Sequence, residues 1–86
     1  MEKLKIISRV GKPENICNIP LVEIAGYKRV LIENHFGVIA YAPEEIQIKV
    51  AYGSIAVSGQ KLQFIQIAKE QLVITGQIEA IQLLRG

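Results

Sequence analysis

From Leu21 onward, apolar residues alternate with polar ones at period two, and glycine or proline interrupts the alternation at regular intervals. The clearest stretch is 53–67, GSIAVSGQKLQFIQI. Ile55 and Val57 share one face of a predicted strand, Ser58-Gly59-Gln60-Lys61 makes a turn, and Leu62 and Phe64 share one face of the next. Alternation at period two across a glycine-containing turn predicts two half-buried strands. The same unit recurs along the chain. Val22, Ile39, Ile55 and Leu72 lie 17, 16 and 17 residues apart, and Ile24, Tyr41, Val57 and Ile74 keep the same offsets. So do the turn positions Gly26, Pro43, Gly59 and Gly76. Beyond each turn Val30, Ile46, Leu62 and Ile78 follow at 16-residue spacing, with Ile32, Ile48 and Phe64 in step.

Four such units of 16–17 residues predict an all-β fold of about eight short strands in strand-turn-strand repeats. Two architectures satisfy the register. If each unit is a hairpin, the strands meander antiparallel into a small sandwich or barrel-like domain. If each unit is an arch, its strands enter opposite sheets and the units stack into a two-sheet β-solenoid. Short links favour consecutive antiparallel pairing, so the sandwich or barrel is the expectation and the solenoid the alternative.

The first twenty residues break the pattern. Leu4, Ile7 and Val10 are spaced by three, as on a short amphipathic helix ending at Gly11, whereas Leu4, Ile6 and Ser8 would instead make an edge strand. The helix is preferred because Lys3, Lys5 and Arg9 then cluster on its outer face. Gly11-Lys12-Pro13-Glu14-Asn15 and Asn18-Ile19-Pro20 are breaker clusters. Residues 1–20 therefore read as a helix or extension with a lead-in loop, and residues 21–86 as the repetitive β domain.

Composition narrows the function classes. Eighty-six residues make one small domain that buries only about 60–65% of its unfolded surface. Ten cations against eight anions leave a net charge of +2, too weak a bias to attract nucleic acid. One cysteine, Cys17, makes no internal disulfide or metal cluster, which fits a reducing compartment. No apolar run approaches the roughly 18 residues of a membrane span.

Catalytic chemistry finds little to work with. The chain has no Asp, one His and one Cys, so no nucleophile, base and orienting acid come together by type. His35 follows Glu33 and Asn34 at a strand-to-turn junction, where Asn accepts the left-handed conformation and bonds nearby backbone. A turn or packing role is its expected use, with a partner contact as the functional alternative. Glu44 and Glu45 are adjacent and point apart, so they read as a solvated turn. The five aromatics are not interleaved with basic residues, as a stacking platform for single-stranded nucleic acid would require. Neither a cofactor nor a metal is expected, and the protein is expected not to be an enzyme.

The last third is more suggestive. Gln60, Gln63, Gln66, Gln71, Gln77 and Gln82 sit among few charges, and LQFIQIA and QLVITGQI combine strong β propensity with low charge. Such strands are poorly defended against pairing with another chain. Leu62, Phe64, Ile65, Ile67 and Val73 are the expected association residues, with Glu33, Asn34 and His35 as a partner-recognition turn. Ile65 and Val73 fall on the face opposite the inward stripe.

One segment is distinctive beyond its periodicity: Leu31-Ile32-Glu33-Asn34-His35-Phe36-Gly37-Val38-Ile39-Ala40-Tyr41. It is preceded by Pro20 and Ile24-Ala25-Gly26. It is followed by Ile55-x-Val57-x-Gly59-x-x-Leu62 and by Leu72-x-Ile74-x-Gly76-x-Ile78. Together these resemble the YabP/YqfC family of sporulation proteins, most closely its YqfC branch, over roughly residues 13–83. The resemblance implies a small cytoplasmic protein of the mother cell of an endospore-forming bacterium, peripheral to a membrane at most. It implies a role in spore morphogenesis beside a membrane-bound partner of the YqfD type; with the association-prone last third, the expectation is a structural or scaffolding protein that self-associates into a homo-oligomer or docks on that partner. It brings no catalytic residues with it. A small β module that binds a ligand or nucleic acid is the competing class, and a deep pocket with convergent polar groups would mark it.

Overall fold

A computed structural model describes the backbone of residues 3–7 and the whole of residues 19–85. Within them the protein is all-β, with seven strands and no helix. The strands are β1 (Lys3–Ile7), β2 (Leu21–Ala25), β3 (Arg29–Glu33), β4 (Gly37–Ala42), β5 (Glu45–Val50), β6 (Gly53–Ala68) and β7 (Gln71–Arg85). They form one open sheet in the order β1-β2-β3-β7-β6-β5-β4, and every neighbouring pair is antiparallel. Stacked solenoid rungs would pair in parallel, so the solenoid alternative is overturned.

Two sequence expectations are corrected. Residues 3–7 form an edge strand on β2 rather than part of a helix, with Leu4 opposite Ile24 and Ile6 opposite Val22. The lead-in segment with Cys17 lies outside the described residues, apart from Ile19 and Pro20. The second correction concerns the eight short strands. The first two 16–17-residue units are hairpins, β2–β3 and β4–β5, but the third and fourth are single long strands, β6 and β7, bent at their centres.

The bend has an identifiable cause. In the β6–β7 ladder the register slips between Ser58 and Gly59 and again between Gln60 and Gln63. Lys61 (φ 55°) and Gly76 (φ 132°) both lie in the left-handed region there. Extra residues in a ladder bend and twist both strands. Each short hairpin then closes on a bend: Ile78 N donates to Tyr27 O at 2.7 Å, Gly59 N to Glu44 O at 3.0 Å and Leu62 N to Pro43 O at 2.8 Å.

The bend divides the sheet into two halves. Residues 71–75 of β7 pair with β3, and residues 53–58 of β6 pair with β5, so each long strand contributes one half to each side. In the first half Ile24, Val30, Ile74 and Phe64 stand in one cross-strand row, and Val22, Ile32 and Leu72 in the next. In the second half the rows are Tyr41, Ile46, Val57, Ile81 and Val38, Ile48, Ile55, Leu83. Buried members of both halves belong to one apolar cluster, and Ile32, Ile46, Ile48, Ile55 and Ile74 have no solvent exposure at all. The two halves of the sheet thus share one core. Burying each of these Ile side chains contributes about 1.5–3 kcal/mol.

β4 departs from the pattern. A register shift between Val38 and Ala40 leaves Ile39 unpaired, so Ile39 points to solvent although its counterparts Val22, Ile55 and Leu72 are core residues. Tyr41 lies at the margin of the core, its ring 5.4 Å from that of Phe64 at 71° and its hydroxyl donating to Leu62 O at 3.1 Å.

Candidate functional site

Two features could meet another molecule: the open edge of β6 and the turn around His35. Residues 63–68 of β6 pair with β7 on one side, and among the described residues no strand pairs with them on the other. Among the described residues this sheet has four open edges, and three are blunted. β1 carries Lys3 and Lys5, residues 77–85 of β7 carry Glu79 and Arg85, and β4 is broken mid-strand by its bulge. The 62–68 edge of β6, LQFIQIA, has no charge, and register slips lie at its two ends, between Gln60 and Gln63 and between Gln66 and Ala68. Charges and bulges are how natural sheets discourage edge pairing, and this edge lacks the first and carries the second only at its ends.

The sequence-predicted association residues divide by burial. Ile65 is 63% exposed and Ile67 55% exposed, and both stand on the outer face of this edge. Val73 shares Ile65's outer row, Glu23–Leu31–Val73–Ile65, but in the middle of the sheet, and it is only 6% exposed. Leu62 is a core residue and Phe64 packs against the core beside Tyr41. Alternation alone assigned Val73 to the outside; it could not tell a central strand, covered by flanking rows, from an edge.

The turn after β3 is held by backbone and side-chain bonds together. Glu33 ends β3 opposite Leu21 and Gln71. Asn34 takes a left-handed conformation (φ 65°), its N–H donating to Glu70 O at 2.8 Å and its side-chain amide to Ile19 O at 2.8 Å. His35 is buried, with 3% exposure, and Gly37 N donates to its Nδ1 at 2.9 Å. A neutral ring whose Nδ1 accepts carries its proton on Nε2, and that buried Nε2 has no hydrogen-bond partner. Burial pushes the His35 pKa below its ordinary 6.5, with the Glu70 carboxylate acting weakly in the opposite direction. The ring therefore works as a neutral turn brace.

Beside it lies a cleft of about 290 Å³, lined by His35, Phe36, Gly37, Gln66, Lys69 and Glu70. It sits where the start of β4 and the end of β6 diverge. Those two strands are joined through Leu62, Pro43 and Tyr41 at the opposite end of the seam. Sequence reasoning named Gln66 only as one of the poorly defended glutamines and did not point to Lys69 or Glu70, because the cleft exists only through the meeting of two distant segments. Among the described residues no group of His, Cys, Asp and Glu could hold a metal, and no helix is long and apolar enough to cross a membrane.

The sequence model of the YabP family matches residues 20–86, which takes in every strand from β2 to β7. The chain belongs to the YabP family. Within it, the chain is similar to the uncharacterized protein YqfC of Bacillus subtilis (strain 168), 23% identical over 70 residues, or 81% of this chain and 75% of that one. No solved structure matches the chain. The Glu33-Asn34-His35 turn and the β6 edge both fall inside the stretch shared with the family.

Proposed function

We propose that this protein is a non-enzymatic assembly module of endospore formation, acting in the mother-cell cytoplasm by self-association through the open edge of β6. Membership of the YabP family supports the sporulation context. The association rests on one observation: the uncharged 63–67 edge, which no strand of the described residues pairs, with Ile65 and Ile67 exposed beside it. A strand laid on this edge satisfies its free N–H and C=O groups, and a second copy meets no like charge because the segment has none. Covering Ile65 and Ile67 would add roughly 2–4 kcal/mol. The same edge suits a membrane-bound sporulation partner that offers an extended strand.

The test is hydrogen–deuterium exchange across a concentration series, joined to spore counts in the bacterium that encodes the protein. Protection of the amides of residues 63–66 should rise with concentration, and Ile65→Lys should abolish that rise and lower the yield of mature spores. Concentration-independent exchange at 63–66, together with normal sporulation of the Ile65→Lys strain, would refute the reading.

A further inference from the structure

Bonds at its margins fix which backbone groups the open edge of β6 presents. Leu62 N donates to Pro43 O at 2.8 Å and Leu62 O accepts from the Tyr41 hydroxyl at 3.1 Å, so both groups of Leu62 point away from β7. Peptide groups alternate in direction along a strand, and those of Phe64 and Gln66 therefore point the same way. The far side of β7 agrees. Asn34 N donates to Glu70 O at 2.8 Å, which turns Leu72 and Ile74 toward β3 and leaves Val73 and Thr75 to bond Ile65 and Gln63. Among the described residues, the free groups of this edge are the N–H and C=O of Phe64 and of Gln66, one residue to either side of Ile65.

We propose that this edge pairs antiparallel with the same edge of a second copy, about a two-fold axis through Ile65. The inference rests on the assembly reading above and adds its partner, direction and register. In this register Phe64 faces the partner's Gln66 and Gln66 the partner's Phe64, so every free N–H meets a free C=O. Neighbouring registers fail. Centring the pair on Phe64 calls on Leu62, whose two groups are already bonded. Centring it on Gln66 calls on Ala68, whose carbonyl accepts from the Gln66 side-chain amide at 2.8 Å. A centre between two residues sets free groups against residues whose own groups face β7.

Side chains select the direction. Identical edges meet antiparallel when the axis is normal to the sheet, and parallel when it lies along the strand. The first keeps both outer faces on one side, so Ile65, 63% exposed, packs on the partner's Ile65 and diagonally on the partner's Ile67. The second sets these isoleucines beside the partner's core face, where Leu62 and Phe64 are already packed. Residues 63–67 carry no charge, and Lys61 meets the partner's Lys69 only past the register slips, where salt screens the pair. Pairing consumes this edge in both copies, so the assembly closes as a dimer.

The test is disulfide trapping in the full chain carrying Cys17→Ser, with oxidised glutathione and one new cysteine at a time. Residues on the axis lie about 4.5 Å apart at Cα, within disulfide reach, so Ile65→Cys should cross-link to itself. Gln63→Cys and Ile67→Cys should not, since each lies about 14 Å along the strand from the same residue of the partner. Mixed together, those two variants should cross-link to each other. Hydrogen exchange of the wild-type chain gives a second readout: protection should rise with concentration at the Phe64 and Gln66 amides and stay level at Gln63 and Ile65. Gln63→Cys and Ile67→Cys cross-linking to themselves as readily as Ile65→Cys means parallel pairing and overturns the proposal. A wild-type mass that climbs past the dimer, or that rises while Ile65→Cys stays uncross-linked, overturns this register and leaves association through the edge standing. Protection of Phe64 and Gln66 only on addition of a different protein assigns the edge to a foreign strand and overturns the two-fold. A mass and an exchange pattern that never change with concentration remove the assembly reading itself, and this register with it.

Discussion

Gly59→Ala tests the bent hairpin at its tightest point. Gly59 has no left-handed backbone to protect; its constraint is space. A Cβ there would lie 1.9 Å from Gln77 O, 2.9 Å from the Gln77 carbonyl carbon and 3.2 Å from Ile78 Cα. All three atoms are backbone, so no side chain can swing aside. A carbon–oxygen contact needs about 3.3 Å, so the strands must part locally by about 1.4 Å. That displacement opens the Gly59–Ile78 pair where Gly59 N also bonds Glu44 O, and it strains the closure of the β4–β5 hairpin on the bend. Overpacking strain of about 1–3 kcal/mol with one weakened hydrogen bond of about 1 kcal/mol predicts a loss of about 2–4 kcal/mol. A domain of 86 residues holds roughly 4–13 kcal/mol in all. Urea unfolding followed by far-ultraviolet circular dichroism reads the change as a lowered midpoint at constant slope. Gly37→Ala is the control, since its added Cβ meets nothing within 4 Å but its φ is +126°. It should lose about 1–2 kcal/mol through backbone strain alone. A Gly59→Ala variant within about 0.5 kcal/mol of wild type would refute the account of the bend.

Three further outcomes are expected. Because the His35 pKa is lowered in the fold, the unfolded chain binds the proton more readily, so stability is full above the ordinary 6.5 and falls as pH drops below it. Urea midpoints between pH 8 and pH 5 check this, and the slope in that window should flatten in His35→Gln. Asn34→Ala removes the bond to Ile19 O and places a Cβ residue at φ 65°, which predicts a loss of about 1–3 kcal/mol. Asn34→Gly should recover part of that loss by relieving the backbone. Lysine separates the two outer-face residues: Val73→Lys, in the middle of the sheet, should cost about 3 kcal/mol or more by burying a charge. Ile65→Lys should stay within about 0.5 kcal/mol in the monomer, by the same unfolding assay.

The strands were legible where alternation is strict and one face is buried. Ile46/Ile48, Ile55/Val57 and Leu72/Ile74 were placed correctly because period two maps directly onto a half-buried sheet. The spacing of 16–17 residues was real as a sequence pattern but ambiguous as geometry. Gly26 and Pro43 sit in reversals, whereas Gly59 and Gly76 sit in bends, and a glycine serves both. What decides between them is ladder pairing between β6 and β7, a long-range property. Ile39 was read as core from its place in the repeat, and the bulge that turns it outward leaves no local signal. Asn34's left-handed turn followed from residue type alone. Burial of His35 did not, since it depends on the turn carrying Glu70 arriving from a distant segment. At the N-terminus the spacing by three and the clustered cations favoured a helix over a strand, and pairing with β2 decides for the strand, which local spacing cannot show.

The central claim is that the uncharged 62–68 edge of β6 is an association surface. Light scattering behind size exclusion, across a concentration series of wild type and Ile65→Lys, tests it most directly. The account predicts a wild-type mass that rises with concentration to at least a dimer, and an Ile65→Lys variant that stays folded at the 9.5 kDa monomer mass throughout. A wild-type chain that remains at 9.5 kDa at every concentration would contradict self-association through this edge.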